Sequence, residues 1–184
     1  LRSKQSKFVP THKKVTAMEI RSLKKLENEA QLRDLVREYL DHEVSELRAV
    51  SGLDLNVDEL VSNTFDHIGE YLPPTGRLHI SIDDSGDLFG CVFLRMIRSN
   101  ACEIKRLYVK PAARGLGVGR KLMESILSQA RNLGAKSVLL DTGVYDTAAQ
   151  GLYRKLGFRE IERYPEGESD PELQPYLLFM QLDL

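Results

Sequence analysis

The spacing of apolar positions changes several times along the chain, and each change predicts a new element. Val15–Leu23 alternates weakly and reads as a first strand. From Glu29 to Leu47, Leu32, Leu35, Val36, Tyr39, Leu40, Val44 and Leu47 recur at helical spacing, with Ser51-Gly52 as the stop. A second helix is predicted over Asp58–Leu72 on Leu60, Val61, Thr64, Ile68 and Tyr71, ended by Pro73-Pro74. The period then falls to two: Leu78, Ile80 and Ile82 alternate up to the turn Asp83–Asp87, Leu88–Ile97 follows as a longer strand, and Cys102–Val109 as another.

Helical spacing returns with Leu122, Met123, Ile126, Leu127 and Ala130, closed by Gly134. Ser137–Leu140, Thr147–Leu156, Phe158–Arg163 and Tyr176–Leu182 read as strand, helix, strand and strand. This order predicts one α/β (α+β) domain over residues 15–184: a mixed central sheet of about seven strands with four main helices. The helix between Val109 and Ser137 acts as a crossover, so the strands it joins run parallel.

Composition bounds the function classes. The 184 residues are 42% hydrophobic and 29% charged with a formal net charge of -1, which suits one globular domain. There is no global charge to recruit nucleic acid or an anionic membrane, and no apolar run of membrane-spanning length. Residues 1–14 carry Arg2, Lys4, Lys7, Lys13 and Lys14 without an acid or the apolar core of a secretory signal, and read as a solvated, disordered basic tail. Cys91 and Cys102 lie in adjacent strand-like runs and turn away from disulfide register; packed thiols in a reducing, cytoplasmic compartment are the simplest reading. The four histidines have no metal-ligand spacing, and Asp54-x-Asn56-x-Asp58 lacks the glycine and final glutamate of a calcium loop, so no metal is expected.

The chemistry concentrates in Arg114-Gly115-Leu116-Gly117-Val118-Gly119-Arg120, where three glycines open a helix between two arginines. Backbone N–H groups unobstructed by Cβ, at the positive end of a helix dipole, suit a pyrophosphate. The P-loop pattern fails because Arg120-Lys121-Leu122 stands where Gly-Lys-Ser/Thr is required, and the glycine spacing does not fit the dinucleotide fingerprint either.

Arg114 to Gly119 fits the [R/Q]-x-x-G-x-[G/A] signature and resembles the GNAT acetyltransferase superfamily. Ile104–Pro111 resembles that family's preceding strand, and Ala149–Phe158 its downstream helix and strand. The resemblance covers the second half of the chain; the first half agrees only in element order. It implies an N-acetyltransferase moving an acetyl group from acetyl-CoA to a primary amine by direct attack on the thioester. The backbone of Leu107, Tyr108 and Val109 would pair with the pantetheine arm, and the amides of Arg114 to Arg120 would hold the pyrophosphate. Asp146 stands where relatives often keep a helix-capping asparagine near the CoA arm. Tyr153 would serve as the acid toward the CoA sulfur and Glu103 as the base.

The acceptor side is implied to be the first two helices and the loop before the last strand. There Asp54, Asp58, Glu59, Glu166, Glu168, Asp170 and Glu172 could draw a cationic amine, favouring a small amine or amino-acid-like acceptor. Acetylation of a protein lysine or N-terminus, a non-catalytic acyl-CoA-binding module, and a homodimer stay open at this level.

Overall fold

The computed structural model describes residues 18–167 and 170–184. The basic tail and the first residues of the predicted first strand lie outside that range. The elements follow as β1 (Glu19–Leu23), α1 (Glu29–Ser51), α2 (Val57–Asp66), β2 (Gly76–Ile82), β3 (Leu88–Arg98), β4 (Ala101–Val109), α3 (Val118–Asn132), β5 (Ser137–Gly143), α4 (Thr147–Lys155), β6 (Arg159–Ile161) and β7 (Leu177–Asp183). They build one seven-stranded mixed sheet in the order β1-β2-β3-β4-β5-β7-β6. Among the described residues only β4 and β5 pair in parallel, as the α3 crossover requires.

Helix ends follow local chemistry. Gly52 closes α1 in the left-handed conformation, and Asn56 caps α2 by accepting from the amides of Asp58 and Glu59. The second helix is shorter than its apolar period predicts. It ends at Asp66, and Ile68–Tyr71 continues as a 3-10 turn before Pro73-Pro74.

Each face of the sheet carries its own core. Leu78, Ile80 and Ile82 of β2 pack with Leu35, Val36 and Leu40 of α1, whereas Val92, Leu94, Cys102 and Ile104 pack under Leu122, Met123 and Ile126 of α3. The polar positions between the β2 hydrophobes are therefore buried as well: His79 is 2% exposed and Ser81 fully covered. Cys91 pairs across the sheet with Tyr108, and Cys102 with Met96. Both thiols are free and buried. No helix among the described residues is long and apolar enough to cross a membrane.

His79 gives the fold a defined sensitivity to acid. Its Nδ1 lies 2.9 Å from the Ser125 hydroxyl and its Nε2 has no partner; burial, aided by the Arg77 charge, pushes its pKa down from 6.5 to about 4. Between pH 6.5 and 4 the unfolded chain binds a proton that the folded chain refuses, so this stabilisation is complete above 6.5 and is lost as pH falls toward 4. The loss is on the order of 3 kcal/mol at full effect. Thermal denaturation from pH 7 to 4.5 should therefore decline more steeply in the wild type than in His79→Gln; equal slopes would remove His79 from the account.

Candidate active site

Parallel pairing of β4 with β5 runs only from Ala101 opposite Ser137 to Ile104 opposite Leu140. Beyond that point the strands part, though β4 continues to Val109 and β5 to Gly143. A bulge in β4 accompanies the parting. Cys91 and Phe93 of β3 are two residues apart, but their partners Tyr108 and Lys105 are three apart, and Arg106 between them has φ 55°. The Lys105–Val109 edge that faces β5 is left without a strand partner, which is what an extended amide-bearing chain needs in order to lie between them.

Two adjoining cavities occupy this region. A groove of about 480 Å³ runs over the glycine loop past Val109, Ala149 and Leu152, and one of about 160 Å³ fills the gap between the parted strands. Tyr39, Glu43, Leu107 and Asp146 line both, so the two adjoin along a shared wall and together outline one channel-like region.

The loop end of the channel is built for an anion. Gly115 and Gly117 have φ 76° and 75°, a region that residues with a Cβ seldom enter. Among the described residues none of the amides from Gly115 to Arg120 donates to a backbone carbonyl, and α3 begins at Val118. Arg114 and Arg120 are exposed; Arg114 donates to the Val109 carbonyl at 3.1 Å, while Arg120 pairs with Glu124 at 2.8 Å. Leu116 projects into solvent, 53% exposed. Asp146 caps α4 by accepting from the Ala149 amide at 3.1 Å, as its position implies.

At the other end Tyr153 borders the gap. It is 5% exposed, its ring packs 5.8 Å from Phe158, and burial together with the negative charges of Asp146, Glu43 and Asp141 holds its pKa well above the usual phenol range.

Glu103 is placed differently from its implied role. Its carboxylate is fully buried and committed: it accepts from Arg95 at 2.8 Å and Tyr164 at 2.7 Å, with Lys105 at 3.3 Å, and it lines neither cavity. The reason is register. Glu103 sits where β4 is still paired on both sides, before the strands part.

Of the carboxyls that line the channel, Asp141 is paired with Lys105 and Asp146 caps α4, which leaves Glu43 of α1. Burial and the nearby Asp146 charge push its pKa up to about 7, opposed by the Tyr145 hydroxyl at 3.4 Å and by Arg106. Such a group can take up and release a proton near neutral pH. It was legible in part: Glu43 lies four residues after Tyr39 and three after Leu40, a place the apolar period would fill with a hydrophobe.

Three of the seven acids expected to draw a cationic acceptor are held in ion pairs. Asp54 pairs with Arg48, Asp58 with Arg37 at 2.6 Å, and Glu166 with Arg98 at 2.6 Å. Glu168 lies outside the described residues.

Comparison with known proteins bears on this geometry. The acetyltransferase (GNAT) family model matches residues 43–158. An uncharacterized N-acetyltransferase of Schizosaccharomyces pombe is 33% identical over 154 residues, 82% of this chain and 85% of the relative. An IAA acetyltransferase of Azospirillum brasilense is 41% identical over 101 residues, 54% of this chain and 63% of its own length. Among solved structures, a GNAT-family acetyltransferase from Staphylococcus aureus shares the fold with a TM-score of 0.70 at 21% identity, over 91% of this chain and 99% of the other. The PaiA N-acetyltransferase of Thermoplasma acidophilum, in complex with coenzyme A, does so with a TM-score of 0.66 at 17% identity, over 92% and 100%.

Proposed function

The chain belongs to the acetyltransferase (GNAT) family, an acetyl-CoA-dependent N-acyltransferase by that membership, and we propose that it acetylates the primary amine of a small or amino-acid-like acceptor, with Glu43 as base and Tyr153 as acid. The parting of β4 from β5 at Lys105 carries this reading, because it joins an anion-binding loop to a proton-transfer pair through one channel. The amides of Gly115 to Arg120 hold the pyrophosphate of acetyl-CoA, and the free edge of Leu107, Tyr108 and Val109 receives the amides of its pantetheine arm. The bound acetyl-CoA supplies the thioester carbonyl that the amine attacks.

Glu43 takes the proton that the amine nitrogen sheds as the C–N bond forms, then passes it to water. Its pKa near 7 leaves it about half ionised at neutral pH, close to the optimum for a base working there. Tyr153 keeps its own proton at any working pH and offers it to the sulfur as the C–S bond breaks. Because a phenol holds its proton more tightly than a thiol, with ordinary pKa values of about 10 and 8.5, this help is a strong hydrogen bond more than a completed transfer. Glu103 contributes by fixing Lys105 beside the channel and Arg95 in the neighbouring cleft.

An acceptor screen read by thiol release tests the function. Small amines should be turned over faster than peptides bearing a free N-terminus or lysine; faster turnover of the peptides would reassign the acceptor. If acetyl-CoA binds and the whole panel releases no thiol, the chain is a binding module instead. Tyr153→Phe should lower kcat by roughly 10- to 10³-fold with acetyl-CoA affinity preserved; an unchanged kcat removes the acid role.

A further inference from the structure

Three cations floor the cleft between the α2–Tyr71 segment and the loop at Glu166–Gly167, and only one of them has no carboxylate partner. Arg95 is shared between Glu70 at 2.6 Å and Glu103 at 2.8 Å, and Lys105 between Asp141 at 2.6 Å and Glu103 at 3.3 Å. Arg106 has no carboxylate within 4.0 Å among the described residues. Its Nη2 donates to the Thr64 hydroxyl at 3.1 Å, and its Nε is buried with no partner.

Arg106 makes no ion pair among the described residues, although its charge acts on Glu43 across the gap and favours that carboxylate; a partly buried guanidinium without direct pairing recovers its desolvation cost incompletely. Arg106 is nevertheless held in place. Thr64 is 5% exposed and donates to the Leu60 carbonyl at 2.8 Å, so it presents its lone pairs to the guanidinium, while the Tyr39 ring centroid lies 5.9 Å away. The backbone adds a constraint, because Arg106 occupies the left-handed position of the β4 bulge and is turned out of the ordinary strand alternation.

Position decides what anion this is. Arg106 lines both the gap between the parted strands, which Glu43 also borders, and the cleft of about 290 Å³ on the acceptor side. A ligand touching both groups must carry an amine at one end and a negative charge only a short way along.

We propose that Arg106 is a specificity-determining residue that binds the carboxylate of the acceptor, so that the acceptor is a small amino carboxylate such as a free amino acid. This rests on the acetyltransferase reading above and narrows its acceptor. Arg106 forms charge-assisted hydrogen bonds to the carboxylate through the fork that Thr64 orients, and the amine is thereby set toward Glu43. An amine without the carboxylate leaves the guanidinium unpaired in the closed site, which is the arrangement that gives the largest discrimination.

The test compares free amino acids with their primary amides as acceptors, using acetyl-CoA and thiol release. Amidation lowers the basicity of the neighbouring amine and enlarges its reactive neutral fraction, so an enzyme without an anion site would favour the amides. The wild type should instead favour the acids by about 10- to 100-fold in kcat/KM. Arg106→Gln should abolish that preference, the acids losing about 10- to 100-fold more kcat/KM than the amides, and Arg106→Lys should restore part of it. Acids and amides used equally by the wild type, or an equal loss on both in Arg106→Gln, would overturn the proposal and leave the acetyltransferase reading standing.

If no member of the panel is turned over, the small-acceptor reading fails, and Arg106 is judged by binding. N-acetylglycine added with CoA should raise the thermal midpoint of the wild type more than that of Arg106→Gln. Equal shifts would overturn the carboxylate site.

Discussion

Glu43→Gln is expected to lower kcat by roughly 10²–10³-fold and, at pH 8, to leave the protein more stable than the wild type. The activity loss follows from removing a base matched to neutral pH. The stability gain follows from the sign of the shift. Burial and Asp146 raise the Glu43 pKa from 4.5 to about 7, so the folded chain binds this proton more tightly than the unfolded chain does. The stabilisation is complete below pH 4.5 and is lost as pH rises through 7; at pH 8 the fold carries a charge its surroundings disfavour. A neutral amide of nearly the same shape removes that charge, worth about 1–3 kcal/mol.

The groups facing Glu43 are Asp146, Tyr145, Arg106 and Glu46, and only the net of their influences with burial sets its ionisation. In the wild type kcat, measured at saturating acceptor, should rise through an apparent pKa near 7, and this inflection should vanish in Glu43→Gln. A variant with wild-type kcat and an unchanged pH profile would show that water or another group carries the proton. A variant both inactive and less stable at pH 8 would show that Glu43 is structural.

Gly117→Glu should weaken acetyl-CoA binding by at least about 100-fold. Nothing lies within 4 Å of a Cβ at this position, so no core contact is disturbed. The effect has two parts. A side chain at φ 75° costs about 1–2 kcal/mol of backbone strain, and a carboxylate is set among amides that would otherwise bind phosphate oxygens. Gly117→Ala carries the strain without the charge and separates the two. Titration calorimetry with CoA measures both; Gly117→Glu affinity within threefold of wild type would move the pyrophosphate away from this loop.

Much of the architecture was legible from residue spacing. The stripe from Leu32 to Leu47, the alternation at Leu78, Ile80 and Ile82, and the turn at Asp83–Asp87 each report a local period, and local period is what backbone geometry imposes. The overestimated second helix shows the limit of that reasoning. Ile68 and Tyr71 keep helical spacing, yet the chain leaves the α-helix at Asp66. The glycine loop was legible for a different reason: binding through backbone N–H groups needs residues without Cβ at fixed positions, and that requirement is written directly in Gly115, Gly117 and Gly119.

The side-chain chemistry was less legible, because pairing depends on which elements meet. Glu103 reads along the chain as a carboxylate on a central strand. Tyr164 reaches it from 61 residues away and Arg95 from the neighbouring strand, and together they close it off. Glu43 becomes a candidate base only because α1 brings it against Asp146, Tyr145 and the gap between β4 and β5. Arg106 stands out only when Arg95 and Lys105 are seen to be taken by Glu70, Glu103 and Asp141. The sequence by itself therefore determined the element order and the glycine loop that opens α3, both properties of contiguous residues. Only the tertiary structure decided which carboxyls and cations are tied up in ion pairs and which are not, since burial and ion pairing are set by residues distant in the chain.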